Sequence, residues 1–367
     1  LDDPKGHLLQ VVELSLLYPK FQIMFRYALI AFFILLFSAC ERKSSENTSP
    51  SVKDYFNYGE QDIKTAGVRM IPIQTPKGTF NVWTKRIGNN PRIKVLILHG
   101  GPALTHEYME CFESYFPKEG FELYEYDQLG SYYSDQPTDS SLWTLERFVE
   151  EVEQVRMALG LNKDNFYLLG NSWGGILGME YALIYQQNLK GLIVSNMTAD
   201  YAKYGAYNAK LRSEMRKSLV DSLERFEQAG DYTNPVYQQL VFDEYYCKHI
   251  LRKPRAAWPE PVMRSFKHIN QFVYEILQGP SEFLPGGRLV GWECWSRLNQ
   301  LTVPTLMIGS RYDTMNPEEM EQMSKLVQNG TYLYCPNGSH LSMWDAQEEY
   351  YPGVIDFIKN IDALTKK

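Results

Sequence analysis

Apolar positions along this chain fall into two regimes. Residues 67–86 alternate apolar and polar around Pro76-Lys77-Gly78, which predicts a hairpin. Residues 94–98 (KVLIL) form an unbroken apolar run, as expected of a strand buried on both faces. Further strands are predicted at 121–126, 166–169 and 189–195. Between them, Leu145, Phe148, Val149, Val152 and Val155 recur at helical spacing behind Thr144, a candidate cap, so 143–159 reads as a helix. A second helix runs from the turn after Leu169 to about Tyr185. From about 199 to 300 the pattern changes to long amphipathic stretches (204–229, 235–251, 259–277) without strand alternation. Buried-strand runs return at 303–309 and 331–335, and 350–361 reads as a closing helix. Strands alternating with helices predict an α/β chain with a mostly parallel sheet covered by helices. Residues 65–198 and 301–367 are read as the two parts of this core, and 199–300 as an inserted helical cap.

Ahead of the core, Met24-Phe25-Arg26 opens a segment with one positive charge, followed by an apolar run at 27–37 and by Ser38-Ala39-Cys40. That order reads as a secretory signal over 24–39. The ending Phe37-Ser38-Ala39-Cys40 resembles a bacterial lipobox, which implies cleavage before Cys40 and lipid attachment to its thiol. Lipid chains there would anchor the protein by burying methylenes, making it an exported bacterial lipoprotein on the periplasmic or cell-surface side of a membrane. Residues 40–64, polar at first (ERKSSENTSPS), read as a tether. A spanning helix is disfavoured because the apolar run is shorter than the ~20 residues a span needs. Residues 1–23 precede a start at Met24 and are read as upstream sequence translated by mistake.

The 367 residues suffice for one large domain with an insertion. A net charge of -7 without any run of Lys or Arg argues against nucleic-acid partners. Besides Cys40, the cysteines are Cys111, Cys247, Cys294 and Cys335, whose spacings do not resemble a metal site. Export permits disulfides among them, but most are expected to be buried thiols. No metal or organic cofactor is called for. The cap's many aromatic residues, Tyr245, Trp258, Phe266 and Trp292 among them, fit either an ordinary core or a pocket lining.

The chemistry centres on residues 165–178, NFYLLGNSWGGILG. A strand, then Gly170-Asn171-Ser172-Trp173-Gly174, then a helix is the context of a nucleophile elbow, in which a serine stands exposed on a tight turn. A serine hydroxyl becomes a nucleophile only when an oriented base takes its proton. In this fold class an acid and then a histidine follow the serine in the chain. His249 and His268 fall inside the predicted cap, whereas His340 lies on a loop after the last strand and is assigned as the base. Asp313, after the strand at 303–309, is the preferred acid, with Asp200 its rival. Acyl transfer also needs two donors for the developing oxyanion. The N–H of Trp173 is one candidate, and that of Gly101 in His99-Gly100-Gly101-Pro102-Ala103 is the other.

Taken together, these segments resemble the prolyl aminopeptidase (proline iminopeptidase) family of α/β-hydrolases. Family members carry HGGPG, DQxGxGxS, GxSxG, a terminal-strand Asp and a SHxxxW-like loop. Here these appear as His99 to Ala103, Asp127 to Ser134, Gly170 to Gly174, Asp313 and Ser339 to Trp344. The resemblance implies an α/β-hydrolase fold with a helical cap. Residues 273–283 (VYEILQGPSEF) look like the tricorn-associated branch, where a carboxylate matching Glu282 holds the substrate's free amine and a tyrosine matching Tyr274 lies nearby. The chain departs from the family at three places. Thr314 stands where that branch has a second amine-binding carboxylate, Ala103 replaces the last glycine of HGGPG, and Tyr132-Tyr133 replace a small-basic pair.

The expectation is therefore a serine aminopeptidase that releases an N-terminal proline or small residue from short peptides with a free N-terminus. In it Ser172, His340 and Asp313 act, Gly101 and Trp173 hold the oxyanion, and Glu282 and Tyr274 bind the amine. A serine esterase, amidase or lactonase acting on substrates without a free α-amine is the alternative.

Overall fold

The computed structural model describes residues 67–365. The stretches read from sequence as a signal, a lipid-bearing Cys40, a tether and upstream residues all fall outside that range. Eight strands form one sheet in the order β1-β2-β4-β3-β5-β6-β7-β8. The predicted hairpin is β1 (Val68–Thr75) and β2 (Gly78–Ile87), antiparallel to each other. β2 runs antiparallel to β4 (Glu122–Asp127), and from there the sheet is parallel: β3 (Lys94–Leu98), β5 (Phe166–Asn171), β6 (Gly191–Ser195), β7 (Thr305–Ser310) and β8 (Gly330–Cys335).

The central strands are apolar throughout because both faces are covered, and their side chains sort by parity. Leu96, Leu98, Leu168, Leu192 and Val194 enter a core beneath α1 (Leu145–Ala158) and α2 (Trp173–Tyr185). Val95, Ile97, Tyr167, Leu169 and Ile193 enter the core on the opposite face, with Phe112, Tyr350, Val354 and Ile358. Each such buried side chain contributes about 1.5–3 kcal/mol of transfer free energy. Thr144 caps α1 by accepting from the Arg147 N–H at 3.3 Å. The final helix starts earlier than its periodicity indicates, spanning Gln347–Leu364 with Pro352 inside it.

Between β6 and β7 the chain is helical. The amphipathic stretches break into shorter helices: Tyr201–Ser213, Lys217–Gln228, Pro235–Val241, Glu260–Lys267 and Gln271–Leu277. The break after Lys267 has a local cause. Asn270 turns its side chain to cap the next helix, accepting from the Val273 N–H, while its own N–H donates to the Ala103 carbonyl at 3.0 Å. Leu211, Leu219, Leu223, Tyr237, Val241, Tyr245 and Phe283 give this insertion a small core of its own. Most of the cysteines are buried, Cys247 only partly, and all four described are free thiols. No helix among the described residues is long and apolar enough to cross a membrane.

The carboxyl ends of the parallel strands deliver six polar residues to one edge: Asp127 ends β4, and His99, Ser172, Asn196, Asp313 and His340 follow β3, β5, β6, β7 and β8. Beneath that edge, β4 buries Glu125 completely, and neither carboxylate oxygen finds a hydrogen-bond partner. Burial pushes its pKa up to about 8, although His106 and Lys85, whose Nζ lies 3.5 Å away, pull the other way. A carboxyl raised in the folded state stabilises fully below its unfolded pKa of 4.5 and loses that contribution as pH rises through about 8. Glu125→Gln, which cannot ionise, is expected to flatten this dependence. Thermal melts from pH 5 to 9 should show the wild-type Tm falling away from that of the variant by several degrees, with the variant the more stable above pH 8.

Candidate active site

Ser172 sits between the end of β5 and the start of α2 with φ 56° and ψ −126°, a conformation that costs an ordinary side chain about 1–3 kcal/mol. The surrounding glycines make it attainable. A Cβ on Gly170 would stand 1.9 Å from the Gly174 carbonyl oxygen, and one on Gly174 would stand 2.1 Å from that of Leu98. Gly100 is equally constrained, since its Cβ would lie 2.8 Å from the Ser172 Cβ. In the HGGPA segment it is therefore Gly100 that lets the loop close on the serine. Gly101 is required for its backbone, with φ 113°. Ala103, where the family pattern has glycine, is held at φ 59°.

His340 Nδ1 lies 2.7 Å from Asp313 Oδ1. Asn196, at the end of β6, donates its amide to Asp313 Oδ2 at 2.8 Å and also bonds Ser310 Oγ and the Ser339 carbonyl. A hydrogen bond to a buried charged group is worth about 1.5–3 kcal/mol. Nothing in the local sequence around Asn196 marks it, because its partners arrive from β7 and β8. Burial alone would push the His340 imidazolium down. The charge and hydrogen bond of the Asp313 carboxylate, with the charges of Glu282 and Asp345, together more than offset this, and the pKa lies above the ordinary 6.5.

The rival candidates are engaged elsewhere. Asp200 caps the helix Tyr201–Ser213 through the N–H groups of Ala202 and Lys203. His249 Nδ1 meets the Tyr312 carbonyl at 2.8 Å, and His268 Nδ1 meets Glu107 at 2.8 Å.

Ser172, His340, Gly101 and Glu282 line one small cavity of about 30 Å³. The Trp173 N–H, first in α2, has no intrahelical acceptor and so remains available beside the serine. Tyr108 braces this corner, accepting from the Gly100 N–H at 2.7 Å and donating to Asn171 Oδ1 at 2.9 Å. Glu282 reaches the cavity from the helical insertion. Tyr274 donates to its Oε1 at 2.8 Å, Tyr204 to its Oε2 at 2.7 Å, and Gln278 to the same oxygen at 3.3 Å. Burial raises its pKa, and Asp313 adds to the rise, while His340 and the two tyrosine hydroxyls act against it. Tyr204 and Gln278 escaped the sequence reading, since only the fold carries them to Glu282. Thr314 is buried beside Asp313, its hydroxyl 3.3 Å from Oδ1. Tyr132 and Tyr133 sit at the seam between core and insertion, Tyr132 stacked on His268 and Tyr133 bonded to Glu107. Among the described residues no group of three or more His, Cys, Asp or Glu is placed to hold a metal ion.

An elbow serine, a histidine–carboxylate pair and a doubly wound sheet define an α/β hydrolase, and the model for the alpha/beta hydrolase fold matches residues 94–347. The chain is 60% identical over 296 residues to a proline iminopeptidase of Elizabethkingia meningoseptica, covering 80% of this chain and 99% of that one. It is 58% identical over 294 residues to one of Flavobacterium johnsoniae, covering 80% and 98%. The crystal structure of a proline iminopeptidase from Mycobacterium smegmatis superposes with a TM-score of 0.73 at 27% identity, over 81% of this chain and 99% of that one. The chain belongs to the proline iminopeptidase family of α/β hydrolases.

With His340 as the base, kcat/KM is expected to climb with pH along a limb whose midpoint lies above 6.5. Asp313→Asn removes the charge that holds the midpoint up. It should move that limb to lower pH and cut kcat on the order of 10⁴-fold. A midpoint unmoved by the substitution would show that some other group titrates.

Proposed function

We propose that this chain is a serine aminopeptidase that releases proline from the free amino end of short peptides. The observation that carries the reading is the Glu282 carboxylate, held by Tyr204, Tyr274 and Gln278 in the wall of the cavity that contains Ser172 and His340. A carboxylate placed there favours the cationic α-amine of the residue whose carbonyl reacts. The named relatives support the same substrate class.

Ser172 Oγ attacks the carbonyl carbon of the first residue as its proton passes to His340 Nε2. Asp313 holds Nδ1–H and steadies the imidazolium. The N–H groups of Gly101 and Trp173 take up the oxyanion charge. Collapse breaks the C–N bond, and His340 protonates the leaving amine. Water, activated by the same histidine, then cleaves the acyl-enzyme and frees the amino acid.

The reading includes export and lipid anchoring at Cys40, supported by the charged start, the apolar run and Ser38-Ala39 before the cysteine.

The test is kcat/KM of the full chain on proline, alanine and glycine naphthylamides, each beside its N-acetylated form. Free-amine proline substrate should be cut best, acetylation should abolish cleavage, and Glu282→Gln should lower kcat/KM roughly 10–100-fold. Ser172→Ala should abolish both turnover and labelling by a fluorophosphonate. Equal cleavage of the blocked forms would place the protein with the esterases or amidases instead. For the anchor, a tracer fatty acid should label the wild-type chain in a bacterial host but not Cys40→Ser, and the variant should leave the membrane fraction. Unchanged labelling would refute the anchor.

A further inference from the structure

The small cavity at Ser172 continues into a much larger one. Gly101, Leu104, Phe266 and Glu282 line both, and the larger, about 710 Å³, runs between the helices Pro235–Val241 and Gln271–Leu277 of the insertion. That volume lies within the roughly 300–1,000 Å³ of small-ligand sites. Its walls are mostly apolar, but its charges are separated. At the inner end stands Glu282. Farther out it is lined by Arg255 and Lys267, both exposed, and among the described residues neither forms an ion pair.

That lack of partners is not for want of acids nearby. Arg264, less than one helical turn from Lys267, gathers Glu107, Glu110 and Glu260 at 2.5–2.6 Å. Glu275, the other acid on the cavity wall, is exposed and takes a hydrogen bond from Gln271 at 3.0 Å. The Arg255 guanidinium lies over the Phe242 ring, 4.4 Å from its centre, which limits the directions it can take.

A short peptide at neutral pH carries an ammonium at one end and a carboxylate at the other. With its ammonium on Glu282 and its first carbonyl between Ser172 and Gly101, the rest of the chain is assigned to the larger cavity, which shares Gly101, Leu104, Phe266 and Glu282 with the small one. We propose that Arg255 and Lys267 form a binding site for the C-terminal carboxylate of the substrate, so that this enzyme selects short peptides with both ends free. The inference rests on the aminopeptidase reading above and adds the far end of the substrate to it. It also gives the proposed preference for short peptides a chemical basis: a longer chain brings neutral backbone, not a carboxylate, to the two cations.

The experiment compares the full chain on Pro-Gly-Gly and on its C-terminal amide, two substrates that differ in charge remote from the scissile bond. At low ionic strength the free acid should have the higher kcat/KM by roughly tenfold, and molar salt should close most of that gap. In Arg255→Ala/Lys267→Ala the acid-to-amide ratio should fall to about one, and in Arg255→Glu/Lys267→Glu it should invert. Both side chains are exposed, so neither variant threatens the fold. A wild-type ratio of one, or a ratio that the double variants leave unchanged, overturns the carboxylate site while proline naphthylamide is still cut. Release of proline from no substrate at all, naphthylamide included, removes the aminopeptidase reading and this inference with it.

Discussion

The structure depends on how closely two backbone segments approach at the end of the sheet. The loop after β3 passes Ser172 with no room for a side chain on Gly100, and α2 starts so near β3 that Gly174 has no space for one either. This contact fixes the serine in its strained turn, brings the HGGPA loop over it, and sets the first N–H groups of α2 toward the same point. The strain of about 1–3 kcal/mol at Ser172 is sustained because β5 and β6 are buried throughout and α2 is buried from Trp173 to Ala182. Once the elbow is fixed, the loops after β7 and β8 have one place to bring an acid and a histidine.

The helical insertion is more than a cover over that site. Its segment at 249–252 bonds to the histidine loop: the N–H groups of His340 and Leu341 donate to the carbonyls of His249 and Ile250 at 2.9 and 2.8 Å, and the Ser339 hydroxyl donates to Ile250 at 2.9 Å. Its segment at 264–270 grips the loop that carries Gly101. Ser265 Oγ accepts from the Thr105 N–H, the Asn270 N–H donates to Ala103, and Arg264 and His268 meet on the buried Glu107. Glu107 receives hydrogen bonds from Thr105, Tyr133, Arg264 and His268, which together hold it ionised despite its burial. Two catalytic loops are thus tied to the insertion by buried polar contacts, and its hinging away would leave those groups unpaired. On the proposed reading, the insertion helps to preorganise the loop that supplies the Gly101 N–H.

What the sequence disclosed, and what it withheld, follows from the range of each signal. Ser172, Asp313 and His340 were legible because each follows a buried strand, and a strand-turn pattern is local. Thr144 was legible as a cap for the same reason. Asn196 also follows a strand, but an asparagine there has no pattern that distinguishes it from a turn residue. Glu282 stood out only through resemblance to the family, and its supports Tyr204 and Gln278 did not stand out at all. The distance from Tyr204 to Glu282 along the chain is a matter of helix packing, which periodicity does not encode. Tyr108 and Glu107 were hidden too, in the stretch between the HGGPA segment and the strand at 121–126, for which no element was predicted. The breaks in the insertion's helices escaped because capping by Asn270 is inseparable from its contact with Ala103.

The replacement of a second amine-binding carboxylate by Thr314 has an electrostatic consequence at the base. Asp313 and Glu282 both raise the His340 pKa, and Asp313 also raises that of Glu282. A third carboxylate at position 314 would add another like charge beside Asp313 and hold the histidine further toward its protonated, inactive form. Threonine avoids this, and among the described residues Glu282 is the acid that lines the small cavity beside Ser172. In the proposed function, an ammonium bonded to Glu282 would cancel the charge that Glu282 contributes at His340, and the imidazole would lose part of what favours its protonation. On the proposed reading, the amine then does two things at once: it places the carbonyl beside Ser172, and it shifts His340 toward the neutral form that can accept the serine proton. A blocked amino end supplies neither effect, which couples selection of the free terminus to the readiness of the base.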